Sequence, residues 1–219
     1  MSEMITTTYH NDPEFKQRCV EAARHHAEID RLRAGTYGKM NGVFHGCSVG
    51  CDAYDITGDV VNDNPHMTTA EYFGFPAWLE YLRDQIFEGL PYAERNQFHV
   101  RLKEAVPVGV DLEPVLHKLA VRRLDRLIET QTGVLQKARN GYGLHDALRK
   151  VIAAMQQVRS CHEAEIRQGH CTVSLSAWSV DAAARSARSA AESAESAASR
   201  SAAYRQEADD LIALLEDAS

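Results

Sequence analysis

The sequence predicts an all-α protein, a multi-helix bundle, on three observations. Apolar residues recur at spacings of three and four along most of its 219 residues. Helix-starting and helix-stopping residues bracket those runs. Apolar alternation is confined to Thr172–Leu175, too short to organise a sheet, and hairpin signals are missing.

Asn11-Asp12-Pro13 marks the first helix: a capping side chain precedes a proline whose missing N–H costs nothing at the first helical position. Phe15, Cys19, Ala22/Ala23, His26 and Ile29 then repeat with helical spacing, carrying the helix to about Ala34 and a stop at Gly35. Residues 35–67 are rich in Gly, Asn and Asp, with one short apolar stretch around Cys47–Ile56. They read as a long irregular segment with one or two helical turns, the kind of loop that carries function. Thr68-Thr69-Ala70-Glu71 has the form of a capping box for a short helix. Phe75-Pro76 opens a helix with Trp78, Leu79, Leu82, Ile86 and Phe87 on one face, closed by Gly89 and Pro91. A further helix spans about 92–105 and breaks at Pro107-Val108-Gly109. Asp111 caps an amphipathic helix through Leu112, Val115, Leu116, Leu119, Leu124, Leu127 and Ile128, interrupted at Gly133 or at Gly141/Gly143. Residues 144–167 resume the pattern with Leu144, Leu148, Ile152, Met155 and Val158.

Residues 182–203 are alanine or serine except for Arg185, Arg188, Glu192, Glu195 and Arg200. Ala183, Ala187, Ala190, Ala194, Ala197 and Ser201 step by four and three, and the register continues into Tyr204, Ala208, Leu211 and Leu215. Alanine is the best helix former, and a stripe of small residues admits a close helix neighbour. The run therefore reads as a slim helix anchored by Trp178 and by Leu211–Leu215. It packs on the core or on a second copy, the latter giving a homo-oligomer through residues 183–215. The expected division is a helical domain over 1–170, including the Gly/Cys loop 35–67, and an Ala/Ser-rich segment over 171–219.

A net charge of −7 argues against a nucleic-acid surface, and the Arg122, Arg123, Arg126 cluster is flanked by Asp125 and Glu129. No run approaches the ~20 apolar residues that cross a bilayer. The first residues lack the basic start and apolar core of a secretory signal. Five cysteines, an odd number, fit reduced thiols and a cytoplasmic location.

The chemistry-bearing segment is His45-Gly46-Cys47-Ser48-Val49-Gly50-Cys51. In a helix Cys47 and Cys51 share a face with Cβ atoms ~5–6 Å apart, wider than the ~3.5–4.5 Å of a disulfide. With Gly46 as the preceding turn, Cys47 stands at a helix N-terminus, where the dipole favours a thiolate. Three readings stay open. Cys47 and Cys51 are small core residues; or Cys47 is a catalytic nucleophile, with His45, His25 or His26 as base; or His45, Cys47, Cys51 and His66 hold zinc. The last is poor zinc grammar without a second clean pair, so the expectation is no metal and no cofactor. Of His25 and His26, one is a core or boundary residue and the other exposed. Asp52 and Asp55 read by default as surface acids, and lie near enough to the cysteines to orient a histidine or bind a cation instead. Cys161-His162 and His170-Cys171 form a second, weaker metal-like pattern.

Gly35-Thr36-Tyr37-Gly38 followed by Gly46–Cys51, then Tyr72–Leu79 running into Ile86–Pro91, then the Ala/Ser-rich helix, together resemble a family of bacterial and phage or prophage proteins. They are similar to Imm-5-like immunity proteins. The resemblance spans most of the chain, with little in residues 92–170, and its motifs carry no assigned chemistry. It implies stoichiometric contact with a host or phage protein, or a small ligand, within a bacterial conflict system. The residues expected at that site are His26, Tyr37, His45, Cys47, Cys51 and Asp52. The alternatives are a cysteine-dependent hydrolase or transferase and a self-associating structural protein.

Overall fold

The computed structural model describes residues 7–35, 38–40, 43–61, 63–137, 144–168 and 197–218. The described elements are α1 (Pro13–Glu28), β1 (Gly38–Met40), β2 (Val43–His45), α2 (Ser48–Thr57), α3 (Pro65–Phe73), α4 (Ala77–Gly89), α5 (Tyr92–Ala105), α6 (Glu113–Lys137), α7 (Leu144–Gln168) and α8 (Ala197–Glu216). The fold is all-α, a multi-helix bundle, and no described helix is long and apolar enough to cross a membrane.

The chain forms two compact units, Met1–Leu112 with Ala197–Ser219, and Glu113–Ser196. This division differs from the one expected at residue 170. Helices α6 and α7 pack on each other, whereas α8 packs on α4 and α5. In the α6–α7 unit Val115, Leu119, Leu124 and Met155 are buried. Gly133 does not interrupt α6, which runs on to Lys137.

In the first unit α1 starts where the sequence places it, with the Asp12 carboxylate accepting from the N–H groups of Glu14 and Phe15 at 2.8 and 3.1 Å. It ends earlier than Gly35. Asp30 takes the left-handed conformation, φ 55°, and Arg31 N–H donates to the His26 carbonyl at 3.1 Å. That is a Schellman closure on aspartate instead of glycine. Asp30 is held there by Arg33, and by the Tyr92 hydroxyl at 2.9 Å.

The described residues between 35 and 67 hold more regular structure than expected. β1 and β2 pair antiparallel with Met40 opposite Val43, so the connection is Asn41-Gly42, the pair that two-residue hairpin turns favour. The hairpin is bound to the end of α1 by a parallel bridge between Leu32 and Gly46. Helix α2 follows with Cys47 as its N-cap. Helix α3 starts at Asn64-Pro65, where Asn64 Oδ1 accepts from Met67 N–H at 3.3 Å, three residues before the expected capping box.

The lower half of the Ala/Ser register holds within α8. Ala208, Leu211, Ile212, Leu214 and Leu215 are buried against the chain's own unit, where Arg205 pairs with Glu94 at 2.8 Å. Trp178, the strand at Thr172–Leu175, Cys171 and the run over 182–196 lie outside the described residues. The close approach falls at Gly89, where an added Cβ would stand 2.3 Å from the Tyr204 ring. Gly89→Ala is expected to lower stability by about 1–3 kcal/mol in thermal unfolding, as overpacked sites do. Combining it with Tyr204→Leu should cost less than the sum of the two single changes. Full additivity would mean that this contact does not govern how α8 docks.

Before α1, Tyr9, His10 and Asn11 form one left-handed turn with φ of 52°, 51° and 60°. Such a turn costs roughly 1–2 kcal/mol per residue for L-amino acids. It is held from the far end of α5: Thr8 Oγ1 donates to Pro107 O at 2.6 Å, Gly109 N–H donates to Thr8 O at 2.9 Å, and the buried Tyr9 hydroxyl donates to Lys103 O at 2.7 Å.

Candidate functional site

Four helices of the first unit turn charged or titratable side chains inward, and a fifth adds a threonine hydroxyl. His26 comes from the last turn of α1, Asp52 and Asp55 from α2, Thr69 from α3, Glu80 and Arg83 from α4, and His99 and Lys103 from α5. The spacings i,i+3 and i,i+4 put each helix's pair on one face, in phase with apolar residues such as Leu79, Ile86 and Leu102. His26, Asp52, Glu80, Arg83, His99 and Lys103 are all buried.

Asp52 is the centre. Its Oδ2 accepts from Arg83 at 2.6 Å and lies 3.0 Å from Lys103 Nζ, an ion pair without hydrogen-bond alignment. Its Oδ1 faces two imidazoles, 3.8 Å from His26 Nδ1 and 3.9 Å from His99 Nε2. Those two nitrogens are 3.3 Å apart. His26 Nε2 lies 2.6 Å from Asp55 Oδ2, which places its proton there and leaves Nδ1 as an acceptor. Asp55 in turn accepts from Arg31 at 3.0 Å. On the other side Glu80 Oε2 accepts from Arg83 at 2.7 Å and from Thr69 Oγ1 at 2.6 Å. Lys103 Nζ sits 3.0 Å from the centre of the Phe73 ring.

Burial pushes the Asp52 carboxyl up, but Lys103 and Arg83, with His99 and His26 behind them, hold it far below its ordinary 3.8. Burial lowers Lys103 to about 8 against the pull of Asp52. It also drives His99 well below 6.5, so this imidazole is neutral at physiological pH. The cluster is a charge-balanced lattice with Asp52 ionised.

A second cluster is half-buried. Cys47 Sγ at the start of α2 and carboxylate oxygens of Asp84 and Glu88 on α4 lie within 4.8 Å of one another. His66 Nε2 from α3 donates to Asp84 Oδ2 at 3.1 Å, and its ring stacks on Tyr81 at 4.3 Å. Glu88 accepts from the Gly35 N–H at 3.0 Å. Asp84 Oδ1 is buried with no aligned hydrogen-bond donor.

Cys47 occupies the helix N-terminus that the sequence assigns it, with Gly50 N–H donating to Sγ at 3.4 Å. The electrostatic consequence is the reverse of the expected one. Burial, and then the Asp84 carboxylate, push the thiol up from 9.0. We expect native Cys47 to react with iodoacetamide more slowly than free cysteine at pH 7.5, with mass spectrometry locating the adduct. Faster reaction would restore the thiolate reading.

The structure brings His26, Asp52 and Asp55 together, as the aspartates' placement near the cysteines allows. Of the two adjacent histidines His26 is buried and His25 exposed. The zinc set does not gather: no three of His45, Cys47, Cys51 and His66 bring ligand atoms within 4.8 Å. Cys51 is turned away, its thiol donating toward Arg31 O and Gly46 O at 3.7 and 3.5 Å, and burial raises it to about 12. His45 Nδ1 is buried without a partner. The described cysteines are free thiols. Tyr37, His170 and Cys171 lie outside the described residues. Glu80, Arg83, Asp84, Glu88, His99 and Lys103 are the site residues that the sequence reading passes over. Comparison with known proteins finds no matching family model, no matching curated protein and no matching solved structure.

Proposed function

We propose that this chain is a cytoplasmic helical binding protein of a phage or bacterial conflict system, acting by stoichiometric contact with a protein that presents basic side chains. The observation that carries the reading is the outward face of α4. Tyr81, Asp84 and Glu88 follow one another there at i, i+3 and i+7, beside the Gly35 backbone and the Cys47 thiol. Tyr81 is 48% exposed, and Met67 and Tyr92 nearby in the same unit are 38% and 54% exposed. Tyrosine and methionine are enriched in interface cores, and a guanidinium or ammonium group is attracted both to carboxylates and to aromatic faces. Burial keeps the exposed Glu88 carboxyl above its ordinary 4.5, and a basic side chain would relieve it. The conflict-system setting rests on the resemblance of the glycine-cysteine and Tyr72–Pro91 segments. The raised thiols of Cys47 and Cys51 favour contact over cysteine chemistry.

A photo-crosslinking residue at position 81 or 92 should capture one protein in the native host, and Asp84→Lys with Glu88→Lys should abolish the product. The same residue at Tyr72, 43% exposed among Phe15 and His10 side chains, should not capture it. Capture from position 72 alone, or products insensitive to charge reversal, would overturn the proposal.

A further inference from the structure

We infer that His26, His99 and Asp52 form a binding site for one divalent first-row transition-metal ion. The three ligand atoms, His26 Nδ1, His99 Nε2 and Asp52 Oδ1, make a triangle with sides of 3.3, 3.8 and 3.9 Å, and an ion would replace the hydrogen bond between the two imidazole nitrogens. A point equidistant from them lies about 2.1 Å from each, inside the ~2.0–2.2 Å of zinc bonds to imidazole and carboxylate. Two imidazoles and one carboxylate are a donor set used by zinc and by non-haem iron.

The surroundings fit independently of the triangle. Asp55 Oδ2 accepts the hydrogen bond of His26 Nε2–H at 2.6 Å, which leaves a lone pair on Nδ1. A carboxylate behind a ligand histidine is the usual outer-shell arrangement of a metal site, fixing its tautomer and raising its basicity. Arg83 and Lys103 approach Asp52 through Oδ2, and Oδ1 faces the imidazoles. His99 is buried, and its Nδ1 has no hydrogen-bond partner, so of the two imidazoles only His26 has an outer-shell carboxylate behind it. The acids Asp52, Asp55 and Glu80 match the bases Arg31, Arg83 and Lys103 one for one, so the ion's charge meets a neutral shell. All three ligands come from helices of the same unit, α1, α2 and α5, which makes the ion a clamp on that unit.

The test is metal titration of the purified full chain after chelation. Elemental analysis should find one zinc or cobalt per chain after gel filtration, and the added ion should raise the unfolding temperature. The cobalt form should show ligand-field bands without the near-ultraviolet thiolate-to-cobalt charge transfer. Cys47→Ser should leave stoichiometry and spectrum unchanged, and His99→Gln should lose the ion while circular dichroism reports an intact fold. No ion retained by the folded wild-type chain, with no shift in unfolding temperature, would overturn the inference. A thiolate band abolished by Cys47→Ser would overturn it too, by moving the metal to the Cys47–Asp84–Glu88 cluster. Neither result bears on the α4 contact face, whose crosslinks are read separately.

Discussion

Asp52→Ala is expected to lower the unfolding free energy by about 3–5 kcal/mol, the usual consequence of removing one partner from a buried ion pair. The reason lies in what stays behind. Arg83 and Lys103 are both buried, and Asp52 Oδ2 is 2.6 Å from one and 3.0 Å from the other. Without the carboxylate, Arg83 keeps Glu80, but Lys103 Nζ is left against the Phe73 ring with no hydrogen bond. Urea denaturation followed by circular dichroism at pH 7 measures the loss. A cost under about 1 kcal/mol, the range of an exposed pair, would show that water reaches the cluster.

Lys103→Met is the counterpart and should be far milder, within about 1.5 kcal/mol of wild type, as for volume-conserving core changes. It removes a charge that burial already disfavours, keeps the aliphatic stem on Phe73 and Phe75, and leaves Asp52 paired with Arg83. The pH dependence follows from the direction of the Asp52 shift. A carboxyl held below its ordinary 3.8 contributes stability that is fully present above that value. The contribution is lost as pH falls through the lower folded value. The gap between wild type and Asp52→Ala should therefore stay constant from pH 7 to about 5 and narrow in acid.

What the sequence discloses and what it hides follow from one property of this core. The helical period is legible because most inward positions are apolar: Leu79, Leu82 and Ile86 on α4, and Leu211 and Leu215 on α8. Asp52 and His26 stand out because they neighbour cysteines or sit on a plain amphipathic helix. Glu80, Arg83, His99 and Lys103 do not, since charges on a helix are normally solvated. Their signal is phase. Glu80 and Arg83 fall within the inward stripe of Leu79–Leu82–Ile86, as do His99 and Lys103 with Phe98 and Leu102. A charged residue in register with an apolar stripe calls for a buried partner on another helix, and here each of the four has one. The hairpin was missed, although Asn41-Gly42, a pair that two-residue turns favour, stands between Met40 and Val43 in the sequence. The end of α1 was not: Asp30 replaces the expected glycine, and what stabilises it, Arg33 and Tyr92, is assembled only in three dimensions.

Gly74→Ala should cost about 2–4 kcal/mol, although it adds a single methyl group to a loop between two helices. Two terms act together. Gly74 closes α3 with φ 66°, where an L-residue pays roughly 1–2 kcal/mol. An added Cβ would also stand 2.4 Å from the Thr7 carbonyl oxygen and 3.3 Å from the His10 ring, an overlap worth about 1–3 kcal/mol. That oxygen cannot simply move aside, because it accepts the His10 N–H at 3.0 Å and so closes the left-handed turn. His10 in turn donates to Tyr72 O at 2.8 Å, and Tyr9 reaches Lys103 O. Displacing the turn therefore loosens the end of α5, directly beneath the buried ion cluster. Gly58→Ala supplies the internal control: φ is 75° there, yet an added Cβ meets nothing within 4 Å, so only the backbone term applies. Urea denaturation of both variants separates the terms, and Gly74→Ala should lose at least about 1 kcal/mol more. Equal losses would mean that the turn yields to the methyl group, leaving its hydrogen bonds to α5 as the weaker side of the contact.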